Sequence, residues 1–217
     1  MVATLTPDEF TEQAYRNAYL ESAKALQRAL ADLDSQPKLV IWVSSTSVYG
    51  DAQGAWVDES SPADPQTFSG RILLAAEEVI RQLPCSNTLV RFSGIYGPGR
   101  AKMINQVLDG KGRPPEPKQW SNRIHSDDCA GVLAHLIGLL AESQVLQPLY
   151  LASDSKPVTQ HNLRRWLANQ LGVELEEEAG NMGPVRRCSN RELLRSGYQF
   201  KYPSYREGYL SLLSEDL

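Results

Sequence analysis

The sequence predicts an α/β protein built around a parallel β-sheet. Three short apolar runs, at 39–43, 88–92 and 149–152, show no polar alternation, which is typical of strands that are buried on both faces. Segments with helical periodicity lie between these runs, and strands that alternate with helices favour βαβ crossovers. At 217 residues, the chain is long enough for one large domain, or for one domain with a small appendage.

The composition argues against several classes of protein. Hydrophobic residues make up 41% of the chain and charged residues 22%, which predicts a folded core rather than disorder. The net charge of -4 and the lack of a basic arm argue against nucleic-acid binding. Cys85, Cys129 and Cys188 are too far apart for a disulfide framework or a zinc site, so we expect no metal and a cytoplasmic location. No apolar run approaches the roughly 20 residues that span a membrane, so no membrane partner is expected.

The first half of the chain is predicted to contain two strands and two helices. Residues 2–5 form a short strand. Pro7 opens a helix, because proline suits a first turn and the acidic Asp8 and Glu9 complement the helix dipole. Small and apolar residues recur every three or four positions down to about residue 33, which would let this helix lie close to a sheet. A strand, a long polar loop and a second helix follow, at 39–43, 44–69 and 70–83.

The second half adds strands to the sheet and supplies the helices of a smaller lobe. Ser126 or Asp127 is predicted to cap one helix, and Thr159 to cap another that Gly172 closes. The predicted elements are strand 88–92, a glycine-rich loop, helix 102–108, loop 110–118, an extended segment at 122–125, a helix to about 140, strand 149–152, helix 160–171, a helix from about 190 to 195 and a last helix from about 203.

The strongest chemical signal is a run of hydroxyl side chains at the carboxyl end of a buried strand. Ser44-Ser45-Thr46-Ser47 follows Val43 and precedes Val48-Tyr49-Gly50. Ligands of open α/β sheets bind outside this end of the strands, where hydroxyls can hydrogen-bond a substrate carbonyl or alcohol. A turn whose hydroxyls satisfy their own backbone explains the composition equally well.

A second signal is the glycine-rich stretch from Arg91 to Arg100, just past the next strand. Its glycines would let a flat ligand approach the backbone. It differs from a phosphate-binding loop, because Pro98 lacks an N–H and the glycine order is G-x-x-G-P-G rather than G-x-G-x-x-G. A tight turn is the alternative interpretation.

Four stretches together resemble one known family in their order and spacing. They are Ser44–Gly50, Asp58–Pro62, Arg91–Gly99 and Arg123–Asp128. Over nearly the whole chain the sequence resembles the extended short-chain dehydrogenases/reductases, also called the NAD-dependent epimerase/dehydratase family. The resemblance implies an NAD(P)-binding domain at 1–155, with a Rossmann-type parallel sheet that is N-terminally truncated and with 99–125 contributing to the small lobe. It also implies a small C-terminal α+β substrate lobe at 156–217.

The resemblance also implies roles for the residues at matching positions. Ser45 would be the catalytic hydroxyl that binds the substrate oxygen, and Tyr49 is a distant candidate for the proton donor. The implied contacts to NAD or NADP are made by Thr4, Leu5, Ser44, Ser93, Gly94 and Ile95. Substrate contacts are expected from Thr46, Arg186 and Arg187, although a solvent-facing segment explains these two arginines about as well.

The sequence departs from the family pattern at the catalytic pair. Aligning Leu74–Glu77 with the family puts Ser69 where the catalytic tyrosine belongs and Leu73 where its lysine belongs. A serine hydroxyl is far too weak an acid to replace tyrosine, and leucine carries no charge. The resemblance is therefore to an atypical branch without the Tyr-x-x-x-Lys pair.

A second departure lies at the front of the chain. The first strand-like residues match the family's fourth strand, so two to three βα units are missing, about 60 to 70 residues at roughly 30 per unit. The glycine-rich pyrophosphate site would be missing with them. We therefore expect a truncated chain that on its own binds NAD or NADP poorly, with a smaller fold in its own right as the alternative.

Three functions are compatible with these observations. The first is an NAD(P)-dependent epimerase/dehydratase-like oxidoreductase that acts on a small, sugar-like or anionic substrate. The second is a non-catalytic dinucleotide-binding or partner-docking protein, and the third is a non-functional fragment. The helices near Pro7 and Gly70 resemble the pair that forms a dimer interface in the family, which is compatible with a homodimer. Near Asp127 and Asp128, a helix cap beside a structural His125 is favoured over a metal or acid–base site.

Overall fold

The computed structural model describes residues 1–180 and 183–215, which form an α/β structure. The strands are β1 (Val2–Ala3), β2 (Val40–Ser45), β3 (Trp56–Val57), β4 (Asn87–Phe92), β5 (Gly94–Tyr96), β6 (Trp120–Ser121), β7 (Arg123–His125), β8 (Leu149–Ala152), β9 (Val158–Thr159) and β10 (Arg187–Cys188). The helices are α1 (Glu12–Tyr15), α2 (Ser22–Ala31), α3 (Phe68–Arg81), α4 (Lys102–Leu108), α5 (Ser126–Ala141), α6 (Gln160–Leu171), α7 (Arg191–Arg195) and α8 (Tyr205–Glu215). A π-helical segment, Arg16–Glu21, joins α1 to α2.

The main sheet has the strand order β1-β2-β4-β8, and all of its strands are parallel. Strands β2, β4 and β8 carry almost fully buried side chains, such as Trp42, Leu89 and Leu151, which are at most 1% exposed. Burial on both faces is the reason that these strands read as unbroken apolar runs. The predicted α/β class with a Rossmann-type parallel sheet is confirmed.

Helices cover both faces of this sheet. On one face, α2 and α3 pack against β2 and β4 through a cluster that includes Leu30, Trp42 and Ile80. On the other face, α5 and α7 contribute Leu136 and Leu193 to a second buried cluster. The carboxyl ends of the strands are left accessible between these layers.

A smaller hydrophobic cluster lies outside the main sheet. It is built from α4, α6 and α8, and Val107, Leu163 and Tyr209 lie at its centre. The predicted lobe 156–217 includes residues 181–182 and 216–217, which lie outside the described residues, and its boundary stays a prediction. Within that range α7 packs against the main sheet rather than against this cluster.

Several boundaries differ from those expected. The first helix begins after Thr11 rather than at Pro7, because the Thr11 hydroxyl accepts a hydrogen bond from the Ala14 N–H at 3.2 Å and caps the helix. His125, not Ser126 or Asp127, caps α5, since its Nδ1 accepts the Asp127 N–H at 3.2 Å. The caps at Thr159 and Gly172 are confirmed, and Gly172 has a positive φ of 66°.

Two segments expected to be loops contain short strands. β5 lies within the glycine-rich stretch and pairs in parallel with β7, and β3 lies within the polar loop 44–69 and pairs in parallel with β10. Two or three residues are too few to show a period, and each strand pairs with a segment far away in sequence. These pairs attach the small lobe to the end of the main sheet.

Candidate functional site

A cleft of about 540 Å³ lies at the carboxyl ends of β2 and β4. One wall is formed by the hydroxyl run after β2, and the next by Phe92–Ile95 after β4. The turn after β1, the first helix and the N-terminal turn of α3 close the remaining sides. This is the edge of an open α/β sheet at which ligands bind.

Helix α3 is held close to the hydroxyl run by a glycine. At Gly70, an added Cβ would lie 2.5 Å from the Ser47 carbonyl oxygen, so no larger residue fits without moving the backbone. Thr67 caps the helix by accepting the Gly70 N–H at 3.1 Å, and its Oγ1 lies 3.1 Å from the Ser69 hydroxyl. Ser69, at the position of the family tyrosine, therefore lines the cleft but is engaged with the cap.

Ser44 is tied to a buried ion pair beneath the cleft. Its hydroxyl donates to Glu77 Oε1 at 2.6 Å, and the same carboxylate accepts two hydrogen bonds from Arg91, at 2.9 and 2.5 Å. Glu77 is fully buried, and Ser44 and Arg91 are at most 5% exposed. Because Ser44 donates its proton to Glu77, it can offer only lone pairs to a ligand in the cleft.

Ser45 and Ser93 also line the cleft, and each carries a hydroxyl. Ser45 Oγ accepts the Ser47 N–H at 3.1 Å, which positions the oxygen and leaves its proton available for a ligand. Ser93 is 5% exposed, and its Oγ has no hydrogen-bond partner among the described residues. A buried hydroxyl without a partner costs free energy, so a ligand that bonds to it is favoured.

An aromatic cluster borders the mouth of the cleft. Tyr15 packs edge-on against Phe10 and Phe68, with ring centroids 5.4 and 5.6 Å apart. Tyr19, four positions further along the helix, donates its hydroxyl to the Leu5 carbonyl at 3.1 Å. The Tyr15 hydroxyl has no such partner in the part of the chain that the structure describes, and burial raises the pKa of this phenol.

Six of the predicted site residues come together in the cleft. They are Leu5, Ser44, Ser45, Ser93, Gly94 and Ile95. Thr4 is exposed and does not line it. At Gly94 the backbone of Asn122 leaves little room for a side chain, since a Cβ there would lie 3.0 Å from the Asn122 carbonyl oxygen.

The structure does not bring Tyr49 to the cleft. Its side chain is 1% exposed, its hydroxyl donates to the Asp58 carbonyl at 2.8 Å, and the Arg91 guanidinium lies 4.7 Å from its ring centre. Burial raises the pKa of Tyr49 to about 12. Tyr49 thus packs against Arg91 of the buried Glu77–Arg91 pair and does not line the cleft.

The predicted substrate contacts also lie elsewhere. Arg186 donates to the carbonyls of Thr46 and Gly50, at 2.9 and 3.3 Å. These hydrogen bonds stabilise the backbone at the end of the hydroxyl run. Arg187 lies between the rings of Trp56 and Trp120, 5.0 Å from each centre. Neither arginine lines the cleft.

A second cavity of about 540 Å³ opens in the small lobe and shares Ile95 and Arg100 with the cleft. Five basic residues line it. They are Arg100, Lys102, Arg113, Arg123 and Arg164. They come from α4 and its flanking loops, from β7 and from α6, so no local sequence pattern groups them.

Tyr15 was likewise missed by sequence reasoning. The expected stripe of small and apolar residues ran through Phe10, Ala14 and Ala18 and so left out Tyr15, which lies directly before the π-helical segment. The only available signal was the four-residue spacing of Tyr15 and Tyr19, which places two tyrosines on one helix face.

Neither a metal site nor a membrane span is found in residues 1–180 and 183–215. No group of three or more histidine, cysteine, aspartate or glutamate side chains is arranged there to hold a metal ion. No helix there is both long and apolar enough to cross a bilayer.

The cleft fits the nicotinamide end of a dinucleotide. The unpartnered Ser93 hydroxyl matches the C=O of a carboxamide, and the lone pairs of Ser44 match its N–H. Ile95 offers apolar surface to the nicotinamide ring. For the pyrophosphate end, the printed sequence offers no G-x-G-x-x-G loop. The fit is therefore to one half of such a cofactor.

Comparison with known proteins gives relatives over most of the chain. The chain matches no family profile. It is 38% identical over 168 residues to protein YeeZ of Escherichia coli strain K12, a match that covers 76% of this chain and 58% of YeeZ, so it spans less than two thirds of that relative. A solved structure from Methylobacillus flagellatus, assigned as an NAD-dependent epimerase/dehydratase, is 39% identical, with a TM-score of 0.77 and coverage of 94% of this chain and 73% of that one.

A more distant structure shows the same fold. The human epimerase family protein SDR39U1, solved with NADPH, is 19% identical and has a TM-score of 0.81. The match covers 100% of this chain and 81% of the human chain.

Proposed function

The chain belongs to the NAD-dependent epimerase/dehydratase family, the extended short-chain dehydrogenases/reductases, and we propose that it takes part in NAD(P)-dependent oxidoreduction or epimerisation of a small anionic substrate. The observation that carries the proposal is the grouping of Ser44, Ser45 and Ser93 around one cleft at the ends of adjacent parallel strands. The human neighbour of the same fold was solved with NADPH. A bound NAD or NADP would supply the hydride transfer that amino-acid side chains cannot perform.

Ser44 and Ser93 would hold the nicotinamide end of the cofactor. Ser44 would act as an acceptor because its O–H already donates a hydrogen bond to Glu77, so its lone pairs would bind the amide N–H of a carboxamide. The buried Ser93 hydroxyl is free to donate to the carboxamide oxygen. Because Glu77 and Arg91 hold Ser44 in place, the orientation of a bound nicotinamide ring would be restricted.

Ser45 would orient the substrate oxygen. Its Oγ is fixed by the Ser47 N–H at 3.1 Å, and the remaining proton can be donated to a carbonyl or alcohol oxygen. A hydrogen bond that is set before the reaction lowers the barrier by holding the reacting atoms in place.

Tyr15 is our candidate for proton transfer in place of Tyr49. Its hydroxyl lacks a partner among the described residues, and its ring packs against Phe68, the neighbour of Ser69. A tyrosine phenol is protonated at neutral pH and can donate a proton to a substrate oxygen, although the burial that raises the pKa of Tyr15 makes it a weaker acid than a free phenol. The proton-donating hydroxyl would thus come from Tyr15 in α1 rather than from α3.

A non-catalytic dinucleotide-binding protein is the second candidate. Leu73 takes the place of the lysine that lowers the pKa of the family tyrosine, and Ser69 is engaged with Thr67. Such a protein would bind the cofactor and a small anion without turnover.

An assay of this chain with NADH and NADPH separates the two candidates. We expect oxidation of one of them with a member of a panel of phosphorylated and carboxylated carbonyl compounds. Ser45→Ala should reduce the rate about 100-fold, the usual cost of losing one positioned donor. Ser35→Ala, in the exposed loop before β2, is the matched control and should leave the rate unchanged. Saturable cofactor binding without turnover would favour the non-catalytic candidate.

A further inference from the structure

A single peptide unit links Arg186 to the Ser45 hydroxyl. The Arg186 guanidinium donates to the Thr46 carbonyl oxygen at 2.9 Å. The N–H of the same peptide unit belongs to Ser47, and it donates to Ser45 Oγ at 3.1 Å. A guanidinium, a peptide group and a hydroxyl thus form one chain of hydrogen bonds, although 140 positions separate Arg186 from Thr46 in the sequence.

Arg186 holds the segment that follows Ser45 at two points. Residues Thr46–Val48 form a single 3₁₀ turn, and the Thr46 carbonyl also accepts the Tyr49 N–H at 3.1 Å. A second guanidinium nitrogen of Arg186 donates to the Gly50 carbonyl at 3.3 Å. The planar fork of the arginine therefore fixes two carbonyl groups of this segment in one geometry.

The backbone around Arg186 is itself anchored. Its carbonyl accepts a hydrogen bond from Asn122 Nδ2 at 3.0 Å. The carbonyl of the preceding Val185 accepts the N–H groups of Ala52 and Gly54, at 3.1 and 2.8 Å. The guanidinium is thus held in place before any ligand binds, so little conformational entropy is lost in the bound state.

No carboxylate neutralises the charge of Arg186 at close range. In residues 1–180 and 183–215, no ion pair within 4 Å involves its guanidinium. The exposed Asp51 attracts it only from a longer distance. Burial lowers the pKa of Arg186, yet an arginine stays charged at neutral pH. A charge that is bonded to neutral carbonyls polarises them more strongly than one that an ion pair has neutralised.

The charge of Arg186 reaches the Ser45 O–H through the backbone. A cation at the Thr46 oxygen draws electron density toward that oxygen, which leaves the Ser47 N–H more positive. A hydroxyl that accepts a hydrogen bond from such an N–H donates its own proton more strongly. The chain of hydrogen bonds from Arg186 therefore strengthens Ser45 as a donor.

We propose that Arg186 is a positioning residue for Ser45, which it orients and strengthens as a hydrogen-bond donor to the substrate oxygen. The inference rests on the proposed function, in which Ser45 binds that oxygen. Arg186 does not line the cleft, so it acts through the Thr46–Ser47 peptide unit. Its effect is expected on kcat rather than on the affinity for the cofactor, because the Ser45 O–H bonds to the substrate.

An amide NMR spectrum of the ¹⁵N-labelled chain tests the link without cofactor or substrate. In Arg186→Gln the cation at the Thr46 oxygen is lost, so we expect the Ser47 amide proton to move upfield. Arg186→Lys keeps the charge but lacks the planar fork, so the shift should be smaller. Arg187→Gln is the matched control, because Arg187 donates to the Gly54 carbonyl at 2.7 Å rather than to the hydroxyl run. It should leave the Ser47 amide unchanged.

Turnover kinetics test the consequence for Ser45. We expect kcat to fall about tenfold in Arg186→Gln, which is less than in Ser45→Ala because the hydroxyl itself remains. Cofactor affinity should change less than twofold. In a Ser45→Ala background the same substitution should have no further effect on kcat, because Arg186 acts through that hydroxyl.

Two outcomes would overturn the inference. One is an unchanged Ser47 amide proton in whichever of the two Arg186 variants folds. The other is an equal loss of kcat on Arg186→Gln with and without the Ser45 hydroxyl. A folded wild-type chain without turnover defeats the proposed function alone, since the Ser47 shift is measured without substrate.

Discussion

Ser44 donates its hydroxyl proton to the fully buried carboxylate of Glu77, 33 residues further along the chain, across 2.6 Å. The same carboxylate is paired with Arg91 from the neighbouring strand. A residue of the candidate cofactor site is thereby fixed by a core ion pair that joins β2, α3 and β4. The hydrogen-bonded network of Ser44, Glu77 and Arg91 therefore contributes both to the polar edge of the cleft and to the stability of the sheet.

Removing the charge of Glu77 should destabilise the protein strongly. Glu77→Gln leaves the guanidinium of Arg91 buried without a counter-ion, which costs roughly 3–5 kcal/mol of unfolding free energy. Urea unfolding measures this change. Glu78→Gln, one residue along α3 and exposed, is the control and should change the unfolding free energy by less than about 0.5 kcal/mol. Equal effects of the two substitutions would contradict the network.

Loss of the Tyr15 hydroxyl should lower turnover without unfolding the protein. In Tyr15→Phe the ring contacts with Phe10 and Phe68 remain, so we expect kcat to fall by about 10²- to 10⁴-fold, the range for a lost acid–base group. Cofactor affinity should change less than twofold. Tyr150→Phe removes a hydroxyl at the opposite end of the sheet and should leave kcat unchanged. An unchanged kcat in Tyr15→Phe would remove Tyr15 from the mechanism.

Asp154 should make the protein less stable as the pH rises. It is 2% exposed, and burial raises its pKa to about 7. The unfolded value lies near 3.9, so the folded state binds more protons between about pH 4 and 7, and the unfolding free energy falls over that interval. Asp154→Asn removes the charged form, so we expect a gain of up to roughly 4 kcal/mol at pH 8 and little gain at pH 4.

Thermal unfolding across this pH range measures the effect. Asp34→Asn changes an exposed loop carboxylate and is the control, with a pH profile like that of the wild type. A profile of Asp154→Asn parallel to the wild type would show that Asp154 titrates normally.

Two glycines of α5 should respond to alanine in opposite directions. At Gly131 a new Cβ would lie 2.4 Å from the Tyr198 hydroxyl, which donates to Asp128 at 2.8 Å, so Gly131→Ala should cost roughly 1–3 kcal/mol. At Gly138 nothing lies within 4 Å, and alanine should stabilise the helix by up to about 1 kcal/mol. Urea unfolding of both variants checks the sign, and the same sign in both would contradict the packing described here.

The sequence predicted the sheet because its strands carry a strong signal. Burial on both faces makes β2, β4 and β8 continuous apolar runs, and the hydroxyl run after β2 marks the ligand edge. The family resemblance implied roles for Ser44, Ser45 and Ser93, and these three residues line the cleft. The ligand edge follows from local pattern together with general rules of α/β folds, whereas the strand order came only from the structure.

The remaining site residues depend on long-range contacts that no local pattern encodes. Arg113, Arg123 and Arg164 meet in one cavity although 10 and 41 residues separate the successive members. Tyr49 has the spacing of a site residue, yet it turns into the core to meet Arg91. Tyr15 lies directly before a π-helical segment, which a periodicity of 3.6 residues does not predict.

The central claim is that the cleft beside Ser44, Ser45 and Ser93 receives a nicotinamide ring. The most direct measurement is an NMR titration of the ¹⁵N-labelled chain with nicotinamide mononucleotide and with NADP⁺, using adenosine monophosphate as the control. We predict saturable shifts of the Ser45, Ser93 and Gly94 amides with both nicotinamide nucleotides and none with the adenosine compound. If the amide chemical shifts of Ser45, Ser93 and Gly94 do not change at millimolar nicotinamide mononucleotide in a folded sample, the account is contradicted.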